Sequence, residues 1–197
     1  MNVYQIFITH NRAWSKREII VFALIMLGAV IVLGVLTADN KIRKIQAAAA
    51  LGLLVFLGIV LGSTVFTREP GNREYELMPF WSWKKIFFYG NMGLLQENLL
   101  NCILLMPMGC LLPVIMGHQV KLKNAFAAGL MCSALIEVSQ LVFKRGLFEW
   151  DDMIHNSLGC LLGCFLVNII VKKKYRLKAE SMAKGILRNR LVLSVII

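Results

Sequence analysis

The sequence contains no Walker A loop, no HExxH and no G-x-S-x-G, so nucleotide use, zinc proteolysis and a serine-hydrolase elbow have no motif support. It is short of acid, with 11 Asp+Glu against 22 Lys+Arg. The resulting charge of +11 would suit nucleic acid on a soluble domain. Here the basic residues sit at the ends of apolar runs. Lys172, Lys173, Lys174, Arg176 and Lys178 directly follow the last run, with Lys184, Arg188 and Arg190 beyond. That is a juxtamembrane pattern attracted to anionic lipid, and no nucleic-acid partner is expected. No cysteine lies in a loop. Cys102, Cys110, Cys132, Cys160 and Cys164 fall inside apolar runs, and Cys160/Cys164 lack clustered His or Cys partners, so neither a disulfide framework nor a zinc site is expected. No cofactor is implied.

What is abundant is apolar surface: 58% of the 197 residues are hydrophobic, and the mean hydropathy is +0.67. Five segments approach the ~20 residues needed to cross ~30 Å of hydrocarbon: Ile19–Thr37, Ile45–Phe66, Asn98–Gly117, Asn124–Phe143 and Met153–Val171. The expected fold is an all-α, polytopic membrane bundle of about five helices. Its organisation reads as an N-terminal interfacial segment with two spans (1–66), a core with a large loop and three spans (67–171), and a basic tail (172–197). The first run follows Arg12, Lys16 and Arg17 but exceeds a signal-peptide h-region, which predicts a retained anchor. Val3–Arg17, with Tyr4, Phe7, Ile8 and Trp14, reads as a surface segment.

With five spans, the N-terminus, the 67–97 loop and the 144–152 loop share one side. That side carries 9 of the 22 Lys+Arg and the other side 13. The positive-inside rule then predicts an external N-terminus and a cytoplasmic C-terminus. The 67–97 loop opens with EPGN and turns aromatic and basic in LMPFWSWKKIFFY, as an interfacial anchor or lid would.

Residues three or four apart share a helix face. On the fourth span Ala125, Gly129, Ser133, Glu137 and Gln140 make one stripe; on the fifth, Asp152, Asn156, Gly159 and Gly163 make another, ending in GxxxG. Asn98 and Asn101 lie near the same end of the third span, which Pro107 and Pro113 are expected to kink. Glu137 sits six residues before Phe143, about 9 Å into the helix. A charge facing lipid at the bilayer centre costs about 3 kcal/mol, so Glu137 should face protein or trapped water, be paired, or be protonated. Arg145 is its nearest cation in sequence, with Gln140 and Asn156 as hydrogen-bond partners. Glu137, Asp151, Asp152, Asn156, Arg145, Gln140 and Asn101 are therefore the candidate pocket, with His155 a further acid or base and Glu149 open as an ion ligand beside Asp151 and Asp152.

Three blocks of this set resemble the VanZ-like family, named for a determinant of low-level teicoplanin resistance. ELMPF (Glu76–Phe80) is similar to the family's NLxPF loop, and ENLLNCILLMPMGCLLP (Glu97–Pro113) to its N-x5-P-x-G-x3-P helix. IEVSQ followed by RGLFEWDDMIHNSLG is similar to its E-x2-Q and D-x-D-D-x3-N-x2-G block. The resemblance covers about Thr67–Val171 and falls on Pro79, Phe80, Asn101, Pro107, Gly109, Glu137, Gln140, Arg145, Asp151, Asp152, Asn156 and Gly159. Glu76 replaces the usual Asn and Glu149 the usual Asp. Arg145 sits at a different spacing from the acidic block than in many members.

The resemblance implies the outer face of a bacterial cell membrane. Three readings stay open. One is an envelope protein that binds or modifies a membrane lipid, a lipid-linked cell-wall precursor or a glycopeptide antibiotic. Another is a small proton-coupled transporter using Glu137. The third is a non-catalytic accessory subunit docking a partner through Gly159 and Gly163.

Overall fold

The structure, a computed structural model, describes residues 14–172. Most of the Val3–Arg17 segment and the basic tail beyond Lys172 lie outside the described residues. Helix α1 runs Lys16–Ala38 and α2 runs Lys44–Leu61, continuing as a π-helical turn, Gly62–Phe66. A short strand β1 (Glu74–Glu76) and the helix α3 (Trp81–Tyr89) follow. The third span is formed by α4 (Met92–Leu104) and α5 (Met106–Met116), then come α6 (Leu122–Phe143), strand β2 (Leu147–Glu149) and α7 (Trp150–Lys172). Five helical stretches, one of them α4 with α5, are long and apolar enough to cross a membrane, as the hydropathy pattern predicts. The chain is a multi-pass, essentially all-α membrane protein.

Local chemistry sets the helix ends. At α1 the Ser15 hydroxyl accepts from the Glu18 amide (3.3 Å) while the Ser15 amide donates to the Glu18 carboxylate (2.7 Å), a reciprocal cap. The third span starts at Met92, earlier than the expected Asn98, because the Asn91 side chain caps it by accepting from the Leu94 amide. The expected kink is a break at Leu105 (φ −98°, ψ 5°), with Pro107 in the first turn of α5. Proline lacks an amide hydrogen and crowds the carbonyl four residues back, but it fits a helix start.

Helix α1 buries no residue among those described, and Ile20, Leu24 and Ile31 stay more than half exposed. Hydrocarbon, not water, is the solvent for such a face. The most enclosed span is α7. A Cβ on Gly159 would strike the Cys102 carbonyl, on Gly163 the Met106 carbonyl, and on Gly109 the Cys160 carbonyl; on Gly129 it would lie 2.7 Å from the Cys160 Cβ. Small residues thus bring α7 into backbone contact with α4 and α5 on one side and α6 on the other. Gly159 and Gly163 are used inside the molecule, which removes the free GxxxG docking face behind the accessory-subunit reading.

A two-stranded parallel clip adds to the helical expectation: Glu74, Tyr75 and Glu76 stand opposite Leu147, Phe148 and Glu149. It ties the 67–91 connection to the turn after α6, helped by the Gly71 amide donating to the Lys144 carbonyl (2.6 Å). At the opposite end Asn168 of α7 donates to the Val120 carbonyl (2.7 Å) and accepts from its amide (3.0 Å).

Candidate functional site

The clip, the π-turn, α3, the start of α4, the end of α6 and the start of α7 meet at one end of the bundle. The stripe read on α6 faces inward: Ala125, Gly129, Ser133, Glu137 and Gln140 are all buried. So are Asn156, Gly159 and Gly163 on α7, while Asp152, one turn nearer the end, is half-buried.

Glu137 is 2% exposed, and one of its carboxylate oxygens accepts the Glu149 amide of β2 at 3.0 Å. Asp152 accepts from the Asn101 side-chain amide of α4. One turn deeper, Asn156 (2% exposed) donates to the Ser133 hydroxyl at 2.8 Å, and its own side-chain oxygen has no hydrogen-bond partner among the described residues. Carboxylates and amides from α4, α6, β2 and α7 thus gather in one cluster graded in burial. Glu97 is exposed at the surface, Glu149, Asp152 and Asn101 are half-buried, and Glu137 and Asn156 are buried.

Three expected pairings take other forms. Arg145 does not pair with Glu137: its guanidinium donates to the Val65 carbonyl (3.2 Å) and to the Phe66 carbonyl. A π-turn leaves carbonyls at its end without helical partners, and a guanidinium with five donors meets them. Gln140 donates to the Thr64 carbonyl of the same turn at 3.1 Å rather than to Glu137. Asn156 reaches Ser133 instead. The cation acting electrostatically on both Glu137 and Asp152 is Arg68, just past the π-turn, although among the described residues it forms no direct ion pair with either. Its guanidinium lies beside Gly146 and Gln140, where a Cβ on Gly146 would come within 3.0 Å of it. Sequence reading missed Arg68, whose one signal was a cation directly following an apolar run.

Asp151, 1% exposed, faces away from Asp152. It accepts the Phe80 amide (2.5 Å), the Ser82 amide (3.0 Å) and the Ser82 hydroxyl, which also accepts from Asn98 at 3.0 Å. These bonds cap α3 and hold Phe80 in the left-handed region (φ 61°), a conformation unfavourable by about 1–2 kcal/mol for a side chain of this kind. The Trp83 indole donates to His155 Nε2 at 2.8 Å, a second tie between α3 and α7, so neutral His155 carries its proton on Nδ1. Phe87, Phe88 and Tyr89 at the far end of α3 are more than three-quarters exposed, and Lys85 lies over the Trp81 ring at 4.6 Å. Both features suit headgroup depth.

Glu149, in the connection before α7, is the titrating group of this cluster that lies outside the spans. Burial, then the neighbouring Asp152, push its carboxyl up to about 7; the Trp81 indole N–H opposes this, and Glu97 and Asp151 add to it. Glu149, Asp151 and Asp152 do not converge as ion ligands: among the described residues no group of three His, Cys, Asp or Glu side chains is placed to hold a metal.

No curated protein and no solved structure matches the chain. A family model described as VanZ/LLP1 matches residues 45–171, more than half of the chain. The match takes in α2 as well as the motif-bearing segments. Its π-turn supplies the carbonyls that fix Arg145 and Gln140. The chain belongs to the VanZ/LLP1 family.

Proposed function

We propose that this end of the bundle binds the head group of an amphiphile in the outer leaflet of a bacterial cell membrane, a lipid or a lipid-linked cell-wall precursor, and thereby lowers susceptibility to teicoplanin-type glycopeptides. The observation that carries this reading is this cluster of carboxylates, graded in burial. Three separate elements contribute Glu137, Glu149 and Asp152, Arg68 acts electrostatically on Glu137 and Asp152, and an aromatic, basic helix is docked at the edge of the cluster. Apolar walls with a few convergent polar groups are how head-group and small-molecule sites are built. In this reading Arg68, and not the engaged Arg145, pairs with a phosphate. Glu137 and Asp152 are placed to move a proton, Asn101 orients Asp152, and Asp151 and His155 position α3. Expression of E137Q, D152N and R68A at equal abundance in a teicoplanin-challenged host tests it. Protection should fall by an order of magnitude or more, the scale of about 1.4 kcal/mol of lost head-group binding. Wild-type protection by all three removes the reading.

A second reading, a proton-coupled carrier, draws on the same ladder of carboxylates from exposed Glu97 to buried Glu137. Its mark is uptake into proteoliposomes that follows an imposed pH gradient and is lost in E137Q.

A further inference from the structure

Resting on the head-group reading above, we propose that the bound head group carries a primary ammonium, seated among Glu137, Glu149 and Asp152 with Asn156 beneath it. The side-chain amides around the carboxylates, and Arg145, are already engaged, whereas Trp81 Nε1 and His155 Nδ1, on the side where α3 docks, are buried without a partner among the described residues. The Asn101 amide is on Asp152, Gln140 on Thr64, Asn98 on Ser82, Asn156 on Ser133, and Arg145 on the π-turn carbonyls. At the carboxylates themselves and beneath them, free acceptors remain. Among the described residues one oxygen of Glu137 and one of Asp152 meet no donor, and neither does the Asn156 side-chain oxygen.

The Asn156 oxygen is independent of the acidic cluster. It is a neutral acceptor on a residue 2% exposed, on the α7 face that carries Asp152 one turn above. A buried acceptor without a donor is unfavourable, and a ligand donor would recover that cost. An ammonium offers three donors and no acceptor, whereas a bare phosphate offers acceptors only. Charge points the same way. Glu137, Glu149 and Asp152 act on one another, Glu97 acts on the last two, and the cation acting on Glu137 and Asp152 is Arg68. Buried like charges are relieved by a cation between them. With the ammonium there, Arg68 is left for a phosphate, the charge order of a zwitterionic aminophospholipid head group.

The full-length protein, purified in detergent, is titrated with phosphatidylethanolamine, its N-acetylated form and phosphatidylglycerol of identical chains, with retained lipid read by native mass spectrometry. N-acetylation removes the ammonium and leaves phosphate and chains in place, so the comparison does not depend on any variant folding. Phosphatidylethanolamine should bind at least about ten-fold more tightly than either other lipid, a difference of about 1.4 kcal/mol. The preference should disappear in E137Q and D152N. Equal binding of all three lipids that is lost in R68A overturns the ammonium and leaves the head-group reading standing. No binding of any lipid, or equal binding that R68A leaves unchanged, removes both. Free phosphoethanolamine should compete only at far higher concentration. Competition at equal concentration keeps the ammonium but assigns it to a soluble ligand, against the head-group reading.

Discussion

Asp151 and Asp152 are chain neighbours with opposite surroundings. Successive helical residues point about 100° apart, so Asp151 meets the start of α3 while Asp152 meets Asn101 of α4. The sequence placed both in one pocket because it shows spacing along a helix and not which neighbour lies on each side. Glu137 and Asn156 were legible from the i, i+4 stripes they share with small residues. Arg68 was not, since the fold brings it to Glu137 across a long stretch of chain. Glu149 gives a prediction at this scale. Its carboxyl is raised to about 7 by burial and Asp152, with Glu97 and Asp151 adding and Trp81 opposing; Glu137 of α6, Arg68 and the strand neighbour Glu76 complete the charged surroundings. A folded-state value above the unfolded one means that the folded protein holds the proton more tightly. The stabilisation is therefore full below the ordinary glutamate value and is lost as pH rises through about 7. Between pH of about 5 and 8, wild-type protein in detergent should lose about 2–4 °C of Tm relative to E149Q, a figure reduced for the half-exposed setting. Tryptophan fluorescence melts of both proteins measure this, and parallel pH profiles would exclude it.

At the scale of elements, the close contacts of α7 carry the bundle. Lipid competes poorly for a surface where backbones touch, so small residues at the seam replace the hydrophobic drive available in water. Gly109, Gly159 and Gly163 each leave no room for a methyl group against a backbone carbonyl, whereas Gly34 and Gly52 have nothing within 4 Å of the added carbon. G159A and G109A should each destabilise by about 1–3 kcal/mol through overpacking, while G34A and G52A should stay near wild type. Thermal unfolding of the four variants in one detergent decides it; equal stability across the set would mean the seam relaxes freely. The five spans and the break near Pro107 were readable because hydropathy and proline act locally. The π-turn and the three-residue strands were not, because neither leaves a periodic pattern: one needs the Arg145 and Gln140 donors to form, the other a partner from a distant loop.

At the scale of the whole molecule, the two ends differ in how their cations are used. At the end bearing the carboxylate cluster, Arg145 is bonded to π-turn carbonyls, Arg68 acts on Glu137 and Asp152, and Lys85 lies over Trp81, while Arg73, Lys84 and Lys144 are exposed. At the other end Lys44, Lys121 and Lys123 are exposed, Lys41 pairs at the surface with Asp39 (3.4 Å), and Lys172 closes α7. Lysines and arginines near span ends that stay free to meet anionic lipid are the ones that set orientation. The internal use of Arg68 and Arg145 therefore widens the asymmetry seen in bare counting, and the carboxylate cluster is expected to face away from the cytoplasm. Cysteines introduced at exposed Glu69 and His118 test this with a membrane-impermeant maleimide, since the natural cysteines lie within the helices. E69C should label in intact cells and H118C only after lysis. The reverse pattern would put the carboxylate cluster in the cytoplasm, where an inner-leaflet lipid could still reach it but an externally exposed wall precursor or a glycopeptide could not.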